Sequence, residues 1–331
     1  MQRRDFLGLT AMISGGMMLS SSTLANAANQ ENTHPTPIGA VTLYYEFRVP
    51  NPEKSAVLAN IDLLINTLKT KPGFLNLSFK QMTGESTMVK NYPNALKGVL
   101  DRGFADNNGN PTSPKIPNFY TLFIRFETYD ALVSSKAQQW VKEHIVPSLF
   151  AYKPTTPPTK TPIALEYYEG IYVTVAAGDR ENIYTTPEKI KSFFTFKNDE
   201  ISTHYVTVEN HVMIRDEHRD AFNQKVIALL TTAQQTFRPD IGDSDYNPKF
   251  PIGQAGSSTN NYYRKAVTTE ILQNAFPDGD LRSYIMHGVW ESMYDHENSH
   301  IDSRFLQSAG PVGAYVVDGP VEPFYDTIKQ A

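Results

Sequence analysis

Along this chain one order of hydrophobic and polar patterns occurs twice. The first pass opens with the alternation Val41-Thr42-Leu43-Tyr44-Tyr45-Glu46-Phe47, the period-two signature of a strand with one buried face. From about Pro52 to Lys71 the period lengthens: Leu58, Ile61, Leu64, Ile65 and Leu68 fall on one helical face, and Pro72-Gly73 stops the helix. Phe74 to Lys80 reads as a second strand, and a polar insertion rich in Asn, Gly and Pro runs to Asn118. Phe119 to Glu127 is a third strand, Ala131 to His144 a helix, and a Pro/Thr-rich loop, 154–162, leads to a closing strand from Ile163.

The second pass starts with a strand over Tyr205 to Val212. A helix follows from about Glu217 to Gln235, with Phe222, Val226, Leu229 and Leu230 in register. After a long Gly/Asn/Ser-rich insertion come a strand, Ser283 to Glu291, a helix starting near Tyr294, and a closing strand over Ala314 to Tyr325. Strand–helix–strand, twice per copy, is the βαββαβ order of ferredoxin-like units. Each such unit has a sheet with one uncovered face, and two units can cover each other. The expected fold is therefore α+β: tandem ferredoxin-like units packed as a dimeric α+β barrel.

The N-terminal pattern belongs to neither copy. Arg3-Arg4 followed by Asp5-Phe6-Leu7, a short apolar stretch to Leu19 and the small residues of Ala25-Asn26-Ala27 match a twin-arginine export signal with its cleavage site. Thirteen residues diluted with Gly, Ser and Thr are too short to span a bilayer, so a mature periplasmic protein without a membrane anchor is expected. The organisation read from sequence is a signal peptide at 1–27 and a disordered lead-in at 28–38. The first unit then covers 39–177, a connector 178–200 and the second unit 201–331.

Without the signal, 28 basic and 34 acidic residues leave a net charge of −6, with no basic run. That balance argues against nucleic acid and anionic lipid as partners. With no cysteine in the chain, disulfides and thiol catalysis are excluded.

The copies differ at the helix that follows the third strand. Trp290-Glu291-Ser292-Met293-Tyr294-Asp295-His296-Glu297-Asn298-Ser299-His300 stands where the first copy has Phe126-Glu127-Thr128-Tyr129-Asp130-Ala131-Leu132-Val133-Ser134-Ser135. Aligned on the tyrosines, His296 falls on Ala131 and His300 on Ser135. Two histidines four apart share a helix face one turn apart and can reach one ion. Glu322 follows 22 residues after His300, wedged between prolines in Gly319-Pro320-Val321-Glu322-Pro323, where a plain strand residue is a poor choice. Two imidazoles and a carboxylate on one side of an ion form the facial triad of non-haem Fe(II) oxygenases. His296, His300 and Glu322 are thus the candidate metal ligands, with catalytic groups beyond them undefined. Glu297, beside His296, is expected to point into solvent. His211 and His218 read as surface groups, and His287 as a residue pointing into the barrel.

In Trp290, Asp295-His296-Glu297 with His300, and Gly319 to Asp326, the chain resembles the sulfur oxygenase reductases. A weaker echo lies in Lys71-Pro72-Gly73-Phe74-Leu75. The resemblance implies a mononuclear non-haem iron enzyme that uses O2 on a small substrate and assembles into a large homo-oligomeric shell. Two features differ: the family carries its iron in the first unit, and it uses a cysteine to hold sulfur. Two alternatives stand beside this reading. One is a haem protein of the same fold with His287 as axial ligand; the other is a non-catalytic metal-binding or shell-forming protein.

Overall fold

The computed structural model describes residues 35–85, 118–152, 162–195, 205–236, 263–300 and 302–331. The expected signal segment and the polar insertions lie outside these residues.

The first unit contains β1 (Val41–Val49), α1 (Lys54–Leu68), β2 (Phe74–Glu85), β3 (Asn118–Phe126), α2 (Tyr129–Ser135), α3 (Ala137–His144), the short strands β4 (Phe150–Tyr152) and β5 (Pro162–Ala164), and β6 (Tyr168–Asp179). Its long strands lie in the order β6–β1–β3–β2, all antiparallel. After β7 (Ile183–Tyr184) and α4 (Pro187–Thr195) the second unit follows. It consists of β8 (Val206–Arg215), α5 (Arg219–Gln235), β9 (Thr268–Asn274), β10 (Leu281–Trp290), α6 (Met293–His300), α7 (Ser303–Gly313), β11 (Val316–Val321) and β12 (Pro323–Gln330). Its strand order is β12–β8–β10–β9, the same as in the first unit.

The two sheets also join at their edges, β2 to β12 and β6 to β9, so eight strands close into one antiparallel barrel. Closure removes the free edges that two separate sheets would expose. The fold is a dimeric α+β barrel contained in one chain.

Several element boundaries depart from the sequence reading. The helix expected over Ala131 to His144 breaks at Lys136, which adopts a left-handed conformation (φ 58°) and caps α2. The strand expected from Ile163 is a three-residue hairpin partner of β4, and the closing strand is β6. β9 has no counterpart among the expected elements.

Alternation along the strands separates two cores. Val41, Leu43, Tyr45, Phe47 and Val49 face outward onto Val57, Ile61, Leu64 and Leu68 of α1. In the second unit Val212, Ile214 and Tyr284 face Phe222, Val226 and Leu230 of α5. The opposite positions point into the barrel, where Phe123, Leu272 and Ile285 pack with Tyr44 and Tyr172 beside a set of polar side chains. Tyr44 donates to Glu209 at 2.9 Å, and Thr121 to the same carboxylate at 2.7 Å. Arg125 pairs with Glu270 at 2.7 Å, Thr174 also donates to Glu270, and Lys80 donates to Thr207 and Thr327. Tyr44, Glu209 and Lys80 have no exposed surface: the interior is a packed hydrogen-bond network that ties one unit to the other. α4 packs Phe193 and Phe194 with Ala40 and Ala177, where β1 begins and β6 ends, and the Phe194 ring lies 5.4 Å from the Arg125 guanidinium. Among the described residues no helix is long and apolar enough to cross a membrane.

Candidate metal centre

The site is built on the outer face of the second sheet, where β10 hands over to α6. Ser292 starts that helix: the Asp295 N–H donates to its hydroxyl at 3.2 Å, while the hydroxyl donates to the Asp295 carboxylate at 2.7 Å. This is a reciprocal cap of the helix N-terminus. The other Asp295 oxygen accepts the Arg264 N–H at 2.7 Å, which anchors the turn to the segment preceding β9.

The first unit has half of this cap: Thr128 accepts the Ala131 N–H at 3.2 Å, with no carboxylate to return the bond. Superposing cap on cap corrects the sequence alignment by one residue. His296 corresponds to Leu132, Glu297 to Val133 and His300 to Lys136. Leu132 is in the hydrophobic core, and Lys136 ends its helix. The first unit therefore has no ligand at the place of the histidines, and its helix ends where His300 stands in the second.

α6 presents His296 and His300 one turn apart, with ring centroids 4.2 Å from each other. Glu322 enters from the break between β11 and β12. Gly319 shapes that approach: its φ is +96°, and a Cβ there would lie 2.5 Å from the His211 carbonyl oxygen. Only glycine allows β11 to press so closely on β8 three residues before the carboxylate. His296, His300 and Glu322 each offer a ligand atom within 4.8 Å of the others, and all three are buried.

Aromatic rings wall the cluster. Trp290 and Phe324 stand edge-on to His296 at 5.4 and 5.3 Å, and Phe305 lies 4.6 Å from His300. Gly288 gives Trp290 its place, since a Cβ there would sit 2.9 Å from the indole nitrogen. Burial, with the neighbouring His296 as a lesser cause, holds the His300 pKa well below its ordinary value, so this imidazole is neutral and keeps a lone pair. His300 Nδ1 is buried with no hydrogen-bond partner among the described residues. Two imidazoles, a carboxylate and an orphaned nitrogen in a dry, aromatic setting are a donor set that fits a divalent transition metal.

Each remaining partner is specific. His296 Nδ1 is 3.2 Å from Glu297 Oε1, and Asn210 Nδ2 donates to Glu322 Oε1. Glu297 is thus buried against a candidate ligand, not solvated as its sequence position suggests. Asn210 left no signal of its own in the sequence. His287 does point into the barrel, packed 5.0 Å from Phe123 and 4.0 Å from Glu270, away from the triad. His211 is turned into the barrel mouth between Glu46 (3.6 Å) and Glu209 (3.7 Å); burial disfavours its charge, but the two carboxylates prevail and raise its pKa. His218 lies at the surface beside Glu217.

Register also locates the first unit's counterpart of Glu322. Thr207 and Val208 pair with Tyr325 and Phe324, as Thr42 and Leu43 pair with Tyr172 and Ile171. Counting back, Glu322 corresponds to Glu169. That carboxylate accepts from Gln138 and pairs with Lys142 at 3.3 Å.

Residues 40–131 match the ABM-like domain and residues 175–328 the CT0912-like, C-terminal domain. With the closed eight-stranded sheet they agree with the dimeric α+β barrel fold. It is at this level, and not that of the sulfur oxygenase reductases, that the resemblance read from the sequence is met. Solved structures with a similar course include a candidate monooxygenase of Fusobacterium nucleatum subsp. nucleatum (9% identity, 88% of this chain and 94% of that one, TM-score 0.49). A second, from Lactobacillus acidophilus, shares 8% over 88% and 95%, TM-score 0.47. An anthrone oxidase-like protein shares 11% over 89% and 93%, TM-score 0.46. Likenesses this distant assign no activity. No curated protein matches the chain.

Proposed function

We propose that the mature protein is a periplasmic mononuclear non-haem iron oxygenase, with His296, His300 and Glu322 as the iron ligands. The observation that carries this reading is the convergence of two buried imidazoles and one buried carboxylate, each with a ligand atom within 4.8 Å of the others, among the rings of Trp290, Phe305 and Phe324. Iron held by such a triad supplies one-electron chemistry with O2 at the positions the protein leaves open. The chain itself supplies the rest. Trp290, Phe324 and Phe305 exclude water, Asn210 orients Glu322, and Glu297 orients His296. The substrate is a small molecule that coordinates the metal or sits beside it. Iron-dependent sulfur chemistry of the sulfur oxygenase reductase kind lacks its thiol here, since the chain has no cysteine.

Haem ligation through His287 is the weaker reading, because that imidazole is packed inside the polar network of the barrel against Phe123 and Glu270. Export by the twin-arginine route, which carries folded proteins, suits a chain that acquires its metal before crossing the membrane. Assembly into a homo-oligomer belongs to the same reading and is tested by sedimentation.

The decisive experiment is elemental analysis and O2 uptake of the purified mature protein. About one iron per chain is expected, with metal retention lost in folded His296→Ala and His300→Ala variants. If the variants hold metal as well as the parent, the ligands lie elsewhere.

A further inference from the structure

We propose that Glu297 is a positioning residue of the metal centre, which fixes the ring of His296 and places negative charge behind it. This rests on the metal reading of the triad and adds a residue to it. Neighbours one apart on a helix do not face each other, so sequence adjacency does not bring Glu297 to His296. Its side chain is nonetheless buried, 2% exposed, with Oε1 3.2 Å from His296 Nδ1. Burying a carboxylate is costly unless a partner offsets it. The cap-to-cap register supplies an independent observation. At the equivalent place the first unit has Val133, 59% exposed. Leu132, Val133 and Lys136 stand where the second unit has His296, Glu297 and His300, so the buried glutamate differs together with the histidines.

The chemistry has two parts. An Nδ1–H donated to Glu297 leaves the Nε2 lone pair for the metal, locks the ring plane and makes the imidazole a better donor. The second part is charge. A carboxylate held behind a ligand imidazole places negative charge near a bound ion, so it stabilises the oxidised state of bound iron relative to the reduced one.

The test compares parent, Glu297→Gln and Glu297→Leu, titrated with ferrous iron and with cobalt(II) against a competing chelator. The potential of the bound iron and the cobalt visible spectrum are also recorded. Gln keeps an acceptor for Nδ1–H and loses the charge; Leu loses both. Affinity is expected to fall roughly 10- to 100-fold in the Leu variant and less in the Gln variant, while the iron potential rises in both. A merely structural role moves neither the potential nor the cobalt spectrum, and metal-free melting of each variant reports folding separately. Parent-like affinity and potential in both variants overturn the proposal and leave the triad standing. A parent that binds neither metal overturns the triad and this proposal together.

Discussion

Replacing His300 by leucine should stabilise the metal-free protein and destroy its response to metal. His300 is 8% exposed, its ring packs against Phe305 and His296, and its Nδ1 is buried without a hydrogen-bond partner among the described residues. An unsatisfied buried polar group costs about 1–3 kcal/mol, and an apolar group of similar shape avoids that cost. Leucine fills most of the imidazole volume, so little cavity penalty of the kind alanine incurs offsets the gain. A net stabilisation of about 1–2 kcal/mol follows, or roughly 1.5–3 °C in Tm for about 300 residues. Metal reverses the order. A ligand that binds only the native state at about 100 times its Kd adds about 2.7 kcal/mol to the parent and nothing to a variant that has lost the site.

The assay is thermal unfolding of both proteins in excess chelator and again in excess ferrous iron or cobalt(II). The variant should melt higher in chelator and the parent higher in metal. A variant that melts lower than the parent in chelator, with a parent unmoved by metal, would refute the reasoning. His300 would then be an ordinary core residue whose ring packing outweighs its unpaired nitrogen.

Two other outcomes are expected. Glu270→Ala removes the carboxylate that faces the Arg125 guanidinium inside the barrel, both groups being 2% exposed at 2.7 Å, and should cost about 3–5 kcal/mol in chemical denaturation. Arg125→Met combined with Glu270→Leu should recover most of that loss, and a single variant costing under about 1 kcal/mol would show that the pair does not hold the units together. Protein with full iron occupancy should not convert dispersed sulfur and O2 to sulfite, thiosulfate and sulfide, because thiolate is the nucleophile that opens sulfur–sulfur bonds and the chain has none. Iron-dependent appearance of all three products would make the missing thiol dispensable.

The fold was legible where outward faces are apolar. The odd positions of β1 and the helical spacing in α1 and α5 announce strands and helices because those faces meet in the core. It was illegible where the barrel interior is polar. β9 reads Thr268-Thr269-Glu270-Ile271-Leu272, and its buried Thr and Glu side chains erase the alternation that marks a half-solvated strand. The same interior misled the reading of His211, which shares the inner face of β8 with Thr207 and Glu209. The triad could be found because its histidines keep helical spacing and Glu322 interrupts a proline-flanked strand. Glu297 could not, because helical geometry turns neighbouring side chains apart and only the coordinates show the carboxylate reaching back. The alignment of the copies shifts by one residue for a related reason: the hydroxyls of Thr128 and Ser292, not the tyrosines, set where each helix starts.

The two units answer one local problem differently. Both place a buried glutamate just ahead of the register shared by Tyr172 and Tyr325, under the helix that follows the third strand. In the first unit, Lys142 from α3 and the Gln138 amide meet Glu169, and Leu132 seals the core beneath. A tethered ammonium supplies the positive charge there permanently. In the second unit the corresponding carboxylate faces two imidazoles and the Asn210 amide, with a second glutamate buried behind His296. On the proposed metal reading such a set is completed by a divalent ion, since a buried carboxylate is costly unless partners offset it. That asymmetry explains why the barrel interior, tied by Arg125–Glu270 and Tyr44–Glu209 into one packed network, is left to hold the units together. On the proposed reading the chemistry lies outside it, on a helix whose cap, length and side chains depart from the pattern of the other copy.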